Sequence, residues 1–449
     1  MPSASHASPP VASTTSARPQ NPPGSHGARD HASVKPADIA VGVIIGRASE
    51  YFDFFVFGIA CVLVFPAVFF PFVDRLDGTL LAFVLLSFAF IARPFGTVAF
   101  MAAERRWGRS VKLTAALFIL GGTTAAIAFL PGYNALGFAA IALLAALRIC
   151  QGLALGGTWD GLPSLLALNA PPRRRGWYAM VPQLGAPIGF IFAAVLFLFL
   201  YDSLKLADFL DWGWRYPFFV AFAINVVALF ARLRLVATPE YEQMLQKAQL
   251  APAPVGELIR ERGANVVIGA FAALASYALF HLVTIFPLSW ITLRSMQPVH
   301  DVLTIQIIGA VIAIAGVIAS GSIADRFGRR NTLGTIAALI GIFSLFAPLL
   351  LDGSSVQHDV FILIGFALLG LSYGQAAGAV TANFSAQYRY TGAALTSDLA
   401  WLIGAAFAPL VVLGLSAHFG LAYVSVYLLS GVICTLAALR INRALELQG

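Results

Sequence analysis

The chain has 449 residues, 59% of them hydrophobic and only 11% charged, with a mean hydropathy of +0.83 and a formal net charge of +7. Soluble domains carry about 25% charged residues; here apolar runs of about 20 residues recur, the length that crosses a bilayer as a helix. This excludes a soluble domain. It also argues against a nucleic-acid partner, since such binders gather Lys and Arg on one soluble face and this chain spreads them through short turns between apolar runs.

Residues 1–37 are rich in Pro, Ser, Ala and His and have no apolar core, so they read as a disordered cytosolic tail and not as a cleaved signal. His6, His26 and His31 belong to that solvated sequence. Twelve spans follow, at about 39–67, 78–101, 111–130, 136–160, 176–200, 214–235, 264–291, 302–323, 331–351, 357–381, 391–416 and 420–440. They predict an all-α membrane protein with an N-terminal six-helix bundle over 38–235 and a C-terminal one over 263–443. A polar cytosolic linker over 236–262, with "TPEYEQMLQKAQLAPAP", joins them, and 444–449 form a tail. Cys61, Cys150 and Cys434 lie inside apolar runs, at spacings that suit neither a metal nor a disulfide framework.

Orientation follows from the basic residues of the short loops. With the N-terminus inside, cytosolic loops and the C-terminal tail hold 18 Lys and Arg, Lys112 and Arg232 among them, and external loops hold four: Arg75, Lys205, Arg215 and Arg294. The opposite topology would invert this ratio. Both termini are therefore expected in the cytoplasm.

The two halves repeat. "AERRWGR" (103–109) after span 2 matches "ADRFGRR" (324–330) after span 8, "GLALGG" (152–157) matches "GLSYGQ" (370–375), and "LGAPIG" (184–189) matches "IGAAFAP" (403–409). Each offset is near 220 residues, and a six-plus-six repeat in one orientation is the pattern of a transporter whose halves are related by an axis normal to the membrane.

In "GSIADRFGRR" a positive-inside loop explains the arginines but not Asp325 at fixed spacing to Gly321, Gly328 and Arg329, with Arg326 between. The motif resembles the loop signature of the major facilitator superfamily. There the acid pairs with the positive end of a helix in the opposite half and locks the cytosolic gate. The resemblance places Asp325 near the start of span 5, at Gly176. Further stretches, "GRASEYFDFFVFG" (46–58), "FIARPFG" (91–97), "RICQGLALGGTWDG" (148–161), "RRGWYAMVPQLGAPIG" (174–189), "DWGWRYPF" (211–218) and "YRYTGAAL" (388–395), are similar to the metabolite:proton symporter family within that superfamily. The resemblance runs from about 38 to 440 and implies secondary active transport of a small organic solute with protons. Solutes of that family include citrate, 2-oxoglutarate, shikimate, proline and betaine. Against its pattern Arg47 stands in place of Asn, Thr158 in place of Glu, Arg105 in place of the gate Asp, and Ala382 and Ser385 in place of an acid and a proline. In that first gate loop Glu104 falls one residue early, among Arg105, Arg106 and Arg109, with Gly108 at the turn, and is expected to be held by those neighbours instead of by helix 11.

A charge at the bilayer centre costs about 2.5–3.5 kcal/mol on insertion scales, so it faces a cavity or a partner. Arg47 and Glu50 are three apart and share a helical face. Asp53 lies a further three along without an in-helix partner at ideal spacing, roughly 17–21 Å into span 1 with Glu50. Glu50 is read as the ionised anchor of Arg47, and Asp53 as the acid that gains and loses a proton. Arg148, about 18 Å into span 4 and one turn before Gln151, is read as a cavity residue. For Arg93, about 22 Å into span 2, packing and cavity roles are both open. In the second half the substrate or proton candidates expected at the cavity are Tyr277 and His281, one turn apart, Tyr373 and Gln375, which flank the glycines of span 10, and Asp398, either a gate residue or a proton site.

No G-x-x-x-x-G-K-[ST] loop and no nucleophile–base constellation occurs, so neither ATP-driven transport nor an enzyme is expected. The expected function is alternating-access symport of a small, anionic carboxylate with protons by a multi-pass inner-membrane monomer. Its partners are the solute, protons and the lipid bilayer; no nucleic acid, cofactor or metal is expected. An uncoupled facilitator, a zwitterion symporter and a transport-dead sensor fit the same sequence.

Overall fold

The computed structural model describes residues 36–159, 161, 163–164, 166, 170–236, 250–295, 297–381 and 384–441, with the side chains of 36–39, 172, 234–236 and 380–381 left aside. The expected tails, to residue 35 and over 444–449, and linker residues 237–249 lie outside the described residues.

Among the described residues twelve helices cross the molecule: α1 (Pro36–Leu63), α2 (Arg75–Trp107), α3 (Arg109–Phe129), α4 (Phe138–Gly157), α5 (Arg175–Met180 continuing through a 3₁₀ turn into Gly185–Ser203) and α6 (Arg215–Val236) form the first bundle. The second bundle holds α7 (Leu274–Thr284 and Phe286–Arg294, preceded by Val255–Ala272), α8 (Val299–Phe327), α9 (Arg329–Leu351), α10 (Ser355–Thr381), α11 (Ala386–Gly404 and Ala408–Phe419) and α12 (Ala422–Ile441). Eleven of these spans are long and apolar enough to cross a membrane. The twelfth, α1, carries Arg47, Glu50 and Asp53 within every 18-residue window, so its polarity is a property of the site it builds. Large apolar side chains face outward, Phe118 at 73% exposure among them, as a lipid-facing surface requires.

The internal repeat is visible in the backbone. The turns between α2 and α3 and between α8 and α9 both hinge on a glycine with positive φ, Gly108 (86°) and Gly328 (83°), a conformation L side chains avoid. Two proline-linked interruptions share nearly the same offset: α1 gives way at Val64 before Pro66, and α7 breaks at Ile285 before Pro287. Proline has no N–H to donate and crowds the preceding turn, so spans read as continuous over 39–67 and 264–291 are each broken near one end. The span read over 391–416 is broken likewise between Gly404 and Ala408, just before Pro409.

Within the first bundle α1 packs on α5 and α6, and α4 on α2 and α3; within the second α8 packs on α10, and α9 on α10 and α12. The bundles meet where α5 lies along α8 and α2 along α11, contacts that the repeat exchanges with one another. The inner segment Leu274–Thr284 is buried at every position. The membrane-embedded charges collect mainly in the first bundle, and the pair Arg93–Asp398 crosses to the second.

Candidate functional site

The site begins with the ionisable triplet of α1. Arg47 Nη1 lies 2.9 Å from Glu50 Oε2, the pairing its spacing dictates. The second oxygen of Glu50 accepts from Arg232 Nη2 of α6 at 2.7 Å, and Arg232 Nη1 donates to the Thr158 carbonyl at 3.4 Å. Gly46 makes room for this: a Cβ there would fall 2.7 Å from Arg232 Nη2. The sequence reading placed Arg232 in a cytosolic loop, and the structure corrects this, since the side chain is buried. Glu50 thus anchors two arginines, and a buried carboxylate with two guanidinium partners is compensated where a lone one would not be.

One turn further, Asp53 Oδ1 accepts from Thr124 Oγ1 of α3 at 2.7 Å. Gln151 Nε2 donates to that same Thr124 oxygen at 2.8 Å, and Arg148 Nη1 donates to Gln151 Oε1 at 3.0 Å. A three-step hydrogen-bond chain therefore joins the acid of α1 to the arginine of α4. Arg148 is 1% exposed and its guanidinium carbon lies 4.0 Å from the Phe57 ring centre, yet Nε and Nη2 have no hydrogen-bond partner. Buried donors left unmatched are costly, which marks Arg148 as a group arranged for something other than packing.

Across the seam Arg93 Nε lies 2.7 Å from Asp398 Oδ1, and Asp398 Oδ2 accepts from Thr97 Oγ1 at 2.5 Å. The two residues with open alternatives are thus each other's partner, α2 to α11. The hydroxyls of Tyr51 and Tyr373 touch across the same seam, and Tyr277, Phe280 and Trp401 close around them, with ring centres 5.0 Å (Tyr277–Trp401) and 4.9 Å (Phe280–Trp401) apart. A cavity of about 570 Å³ is lined by Arg47, Tyr51, Trp159, Tyr277, Tyr373 and Trp401 among others. A neighbouring one of about 490 Å³ is lined by Arg47, Glu50, Phe54, Arg93, Arg148 and Trp401 among others. Among the described residues the cluster brings together four guanidiniums and three carboxylates.

Two expected cavity residues lie elsewhere. His281 is fully buried among Phe54, Phe90 and Phe280, with neither ring nitrogen hydrogen-bonded, and lines neither cavity. Gln375 belongs to the gate: it donates to the Gly176 carbonyl at 3.2 Å and to Ser320 Oγ at 3.3 Å, and accepts from Arg329 Nε at 3.4 Å.

At the arginine-rich end Asp325 accepts from the backbone N–H groups of Gly176 (2.6 Å) and Trp177 (3.1 Å), at the start of α5. A carboxylate at a helix N-terminus satisfies orphan donors and the helix dipole together. Gly176 and Gly321 permit the approach; a Cβ on Gly176 would lie 2.8 Å from the Gly321 carbonyl oxygen. Arg329 ties down the turn through the Gly378 carbonyl at 3.2 Å and the Arg175 carbonyl at 3.4 Å. Glu104 is held by its own neighbours, Arg109 Nε at 2.7 Å and Lys112 Nζ at 2.8 Å, but also by Tyr390 Oη of α11 at 2.9 Å. The expectation that helix 11 plays no part is therefore corrected: α11 contributes a hydroxyl where the family pattern would use a helix end. Arg106 and Arg326 lie over the adjacent Trp107 and Phe327 rings, in matching places.

Sequence reasoning missed Arg232, Lys112, Thr124, Tyr390 and Trp401. Lys112 and Arg232 were absorbed into the positive-inside count, from which both buried residues should be removed; the cytosolic total falls from 18 to 16 against four. Tyr390 lay inside the quoted stretch "YRYTGAAL", whereas Thr124 and Trp401 carried no signal in one sequence.

Residues 132–409 match the family model of the Major Facilitator Superfamily. The inner membrane metabolite transport protein YhjE of Escherichia coli (strain K12) is 37% identical over 407 residues, covering 89% of this chain and 92% of that protein. The shikimate transporter of the same organism is 31% identical over 409 residues, covering 89% and 92%. Its proline/betaine transporter is 27% identical over 373 residues, covering 80% and 74%. Among solved structures a D-xylose-proton symporter superposes with a TM-score of 0.70 at 19% identity over 90% of this chain and 97% of that one, a likeness of fold.

Proposed function

Because this chain belongs to the Major Facilitator Superfamily, whose matched members here transport metabolites, we propose that it is an inner-membrane symporter carrying a small organic anion with protons, both termini in the cytoplasm. The observation that carries the reading is Arg148, buried beside the cavity with two unmatched donors. In low dielectric each such charge counts for more than in water. A carboxylate would give Arg148 the acceptors it lacks, in the two-point geometry guanidinium favours.

Asp53 is the proton site in this reading. Thr124 has one hydroxyl hydrogen and two acceptors in range, Asp53 Oδ1 at 2.7 Å and the Leu120 carbonyl at 2.9 Å. With Asp53 ionised the hydroxyl donates to it. With Asp53 protonated the acid donates to Thr124 and the hydroxyl turns to Leu120. Either state is satisfied, so the proton can come and go without stranding a partner. Protonation removes the negative end of the chain that leads through Gln151 to Arg148, and the anion takes its place. Alternating access then separates Asp325 from α5, and Glu104 from Tyr390, when the cytosolic side opens.

A second reading rests on the aromatic wall. Tyr51, Tyr277, Phe280, Tyr373 and Trp401 offer ring faces of the kind that receive quaternary ammonium groups, which suits a betaine-like zwitterion. Purified protein should be screened by thermal shift against shikimate, citrate, 2-oxoglutarate, proline and betaine, since a ligand of the folded state raises the melting temperature. Uptake of any hit into proteoliposomes, with and without an imposed pH gradient, follows. Stabilisation by a carboxylate and its gradient-driven accumulation support the proposal. Stabilisation by betaine alone transfers the case to the second reading, and accumulation indifferent to the gradient removes proton coupling.

A further inference from the structure

We propose that the linker peptide Leu250–Pro254 is a working part of the gate at the arginine-rich end, bridging the α2–α3 turn to α11 in place of the carboxylate contact that Asp325 makes in the other half. Superposing the two glycine turns sets Gly108 on Gly328 and Arg105 on Asp325, so the first turn presents a cation where the second presents an acid. A guanidinium cannot cap a helix N-terminus, because both are donors. It needs a carbonyl, and the linker supplies one.

Arg105 Nη1 donates to the Ala253 carbonyl at 3.3 Å, and Arg109 Nη2 donates to the Leu250 carbonyl at 3.0 Å. On the other side the Ala253 N–H donates to Thr391 Oγ1 of α11 at 2.9 Å, and that hydroxyl lies 3.3 Å from the Ala253 carbonyl. One residue of the linker thus touches both bundles. Leu250 adds an apolar plug: at 2% exposure it sits in one cluster with Val43, Met101, Met180, Val317, Tyr390 and Ala394, drawn from α1, α2, α5, α8 and α11. A peptide that merely tied down a loop would bury its anchor within one bundle. Here the anchor fills the seam that has to part.

The geometry also says which contacts break. Pro254 runs directly into the helix Val255–Ala272, which packs on α11, so Ala253 travels with the second bundle. Opening this end separates Arg105 and Arg109 from the two linker carbonyls and withdraws Leu250 from the first bundle, while the bond to Thr391 is kept. The inference rests on alternating access but on neither the solute nor the proton.

The test uses the full-length protein in nanodiscs, with Cys61, Cys150 and Cys434 replaced and one reporter at a time. Ala394→Cys reports the seam beside Leu250, and Val302→Cys reports the opposite end of α8, both buried. Alkylation rates with N-ethylmaleimide are compared among Arg105→Ala, Leu250→Ala and, as a gate control, Asp325→Asn. The expected result is a rise of three-fold or more at the Ala394→Cys reporter in both linker variants, with no rise at the Val302→Cys reporter. If Asp325→Asn raises the rate and the linker variants do not, the linker proposal falls and alternating access stands. If none of the three raises it, both fall. A rise at both reporters makes the bridge a fastening of the whole fold and overturns its gating role.

Discussion

Glu50→Gln should be among the most destabilising conservative changes in the chain, through Arg232 more than through Arg47. The carboxylate holds Arg47 at 2.9 Å and Arg232 at 2.7 Å, and the two guanidinium side chains are 19% and 8% exposed. Glutamine keeps one acceptor and loses the charge. Arg47 has some access to water and rests over Trp159; Arg232 is enclosed. Removing one partner of a buried pair costs about 3–5 kcal/mol, because the other charge is left uncompensated. The partial exposure of Arg47 puts this case near the lower end, about 3 kcal/mol, a large share of a total stability of about 5–15 kcal/mol. Arg232→Gln alone leaves Glu50 with Arg47 and loses one charged hydrogen bond, about 1.5–3 kcal/mol. The double variant Glu50→Gln/Arg232→Gln should then be more stable than Glu50→Gln alone. Equilibrium unfolding by SDS in mixed micelles, followed by tryptophan fluorescence, measures all three, and the cycle isolates the coupling, about 1.5 kcal/mol or more. A Glu50→Gln cost below about 1 kcal/mol, or a double variant at the sum of the singles, would refute the claim that the α1 acid is held chiefly to neutralise α6.

Asp53→Asn should abolish solute accumulation driven by a pH gradient in proteoliposomes while solute exchange continues; persistent gradient-driven accumulation would show that the proton binds elsewhere. Arg148→Lys should lower uptake although the charge is kept, since an ammonium cannot both bond Gln151 and present a fork; unchanged uptake of a carboxylate would remove Arg148 from the site. Asp325→Asn should accelerate alkylation of the Ala394→Cys reporter, whereas Glu104→Gln should chiefly lower thermal stability by leaving the buried Lys112 without its carboxylate; equal effects of both variants on both readouts would erase the distinction between the two gate loops. A cysteine introduced at the exposed Ser354 should react with an impermeant maleimide in intact cells and one at the exposed Arg326 should not; the reverse pattern would invert the topology.

The spans were legible because lipid imposes the rule that makes them so: every backbone group must be bonded internally, and that takes about 20 apolar residues. The helix breaks before Pro66, Pro287 and Pro409 were less so, although the prolines were in view. Proline near a helix start is compatible with the first turn, so the residue alone does not say whether a span bends, ends or restarts there. The repeat offset was the better clue, since Pro66 and Pro287 are separated by nearly the interval that separates Gly108 from Gly328.

Of the site, the pair inside one helix and the contact carried by a motif were readable, and the other pairs between helices were not. Arg47–Glu50 follows from a spacing of three, and the Asp325 contact with α5 follows from a motif with a known geometry. Arg93–Asp398 joins residues 305 apart, and Glu50–Arg232 residues 182 apart, so no local rule could match them. The positive-inside rule even pointed away from the second pair. It treats a basic residue near a span end as a loop charge, and Arg232 and Lys112 both lie near such ends, where a long side chain can turn inward as readily as outward. What decides the direction is an acid waiting inside. Glu50 and Glu104 are those acids, each taking two cations from its own half. Four cations of the first bundle therefore touch an acid of their own half before any solute is considered, and Arg148, with its unmatched donors, is the residue on which the transport proposal turns.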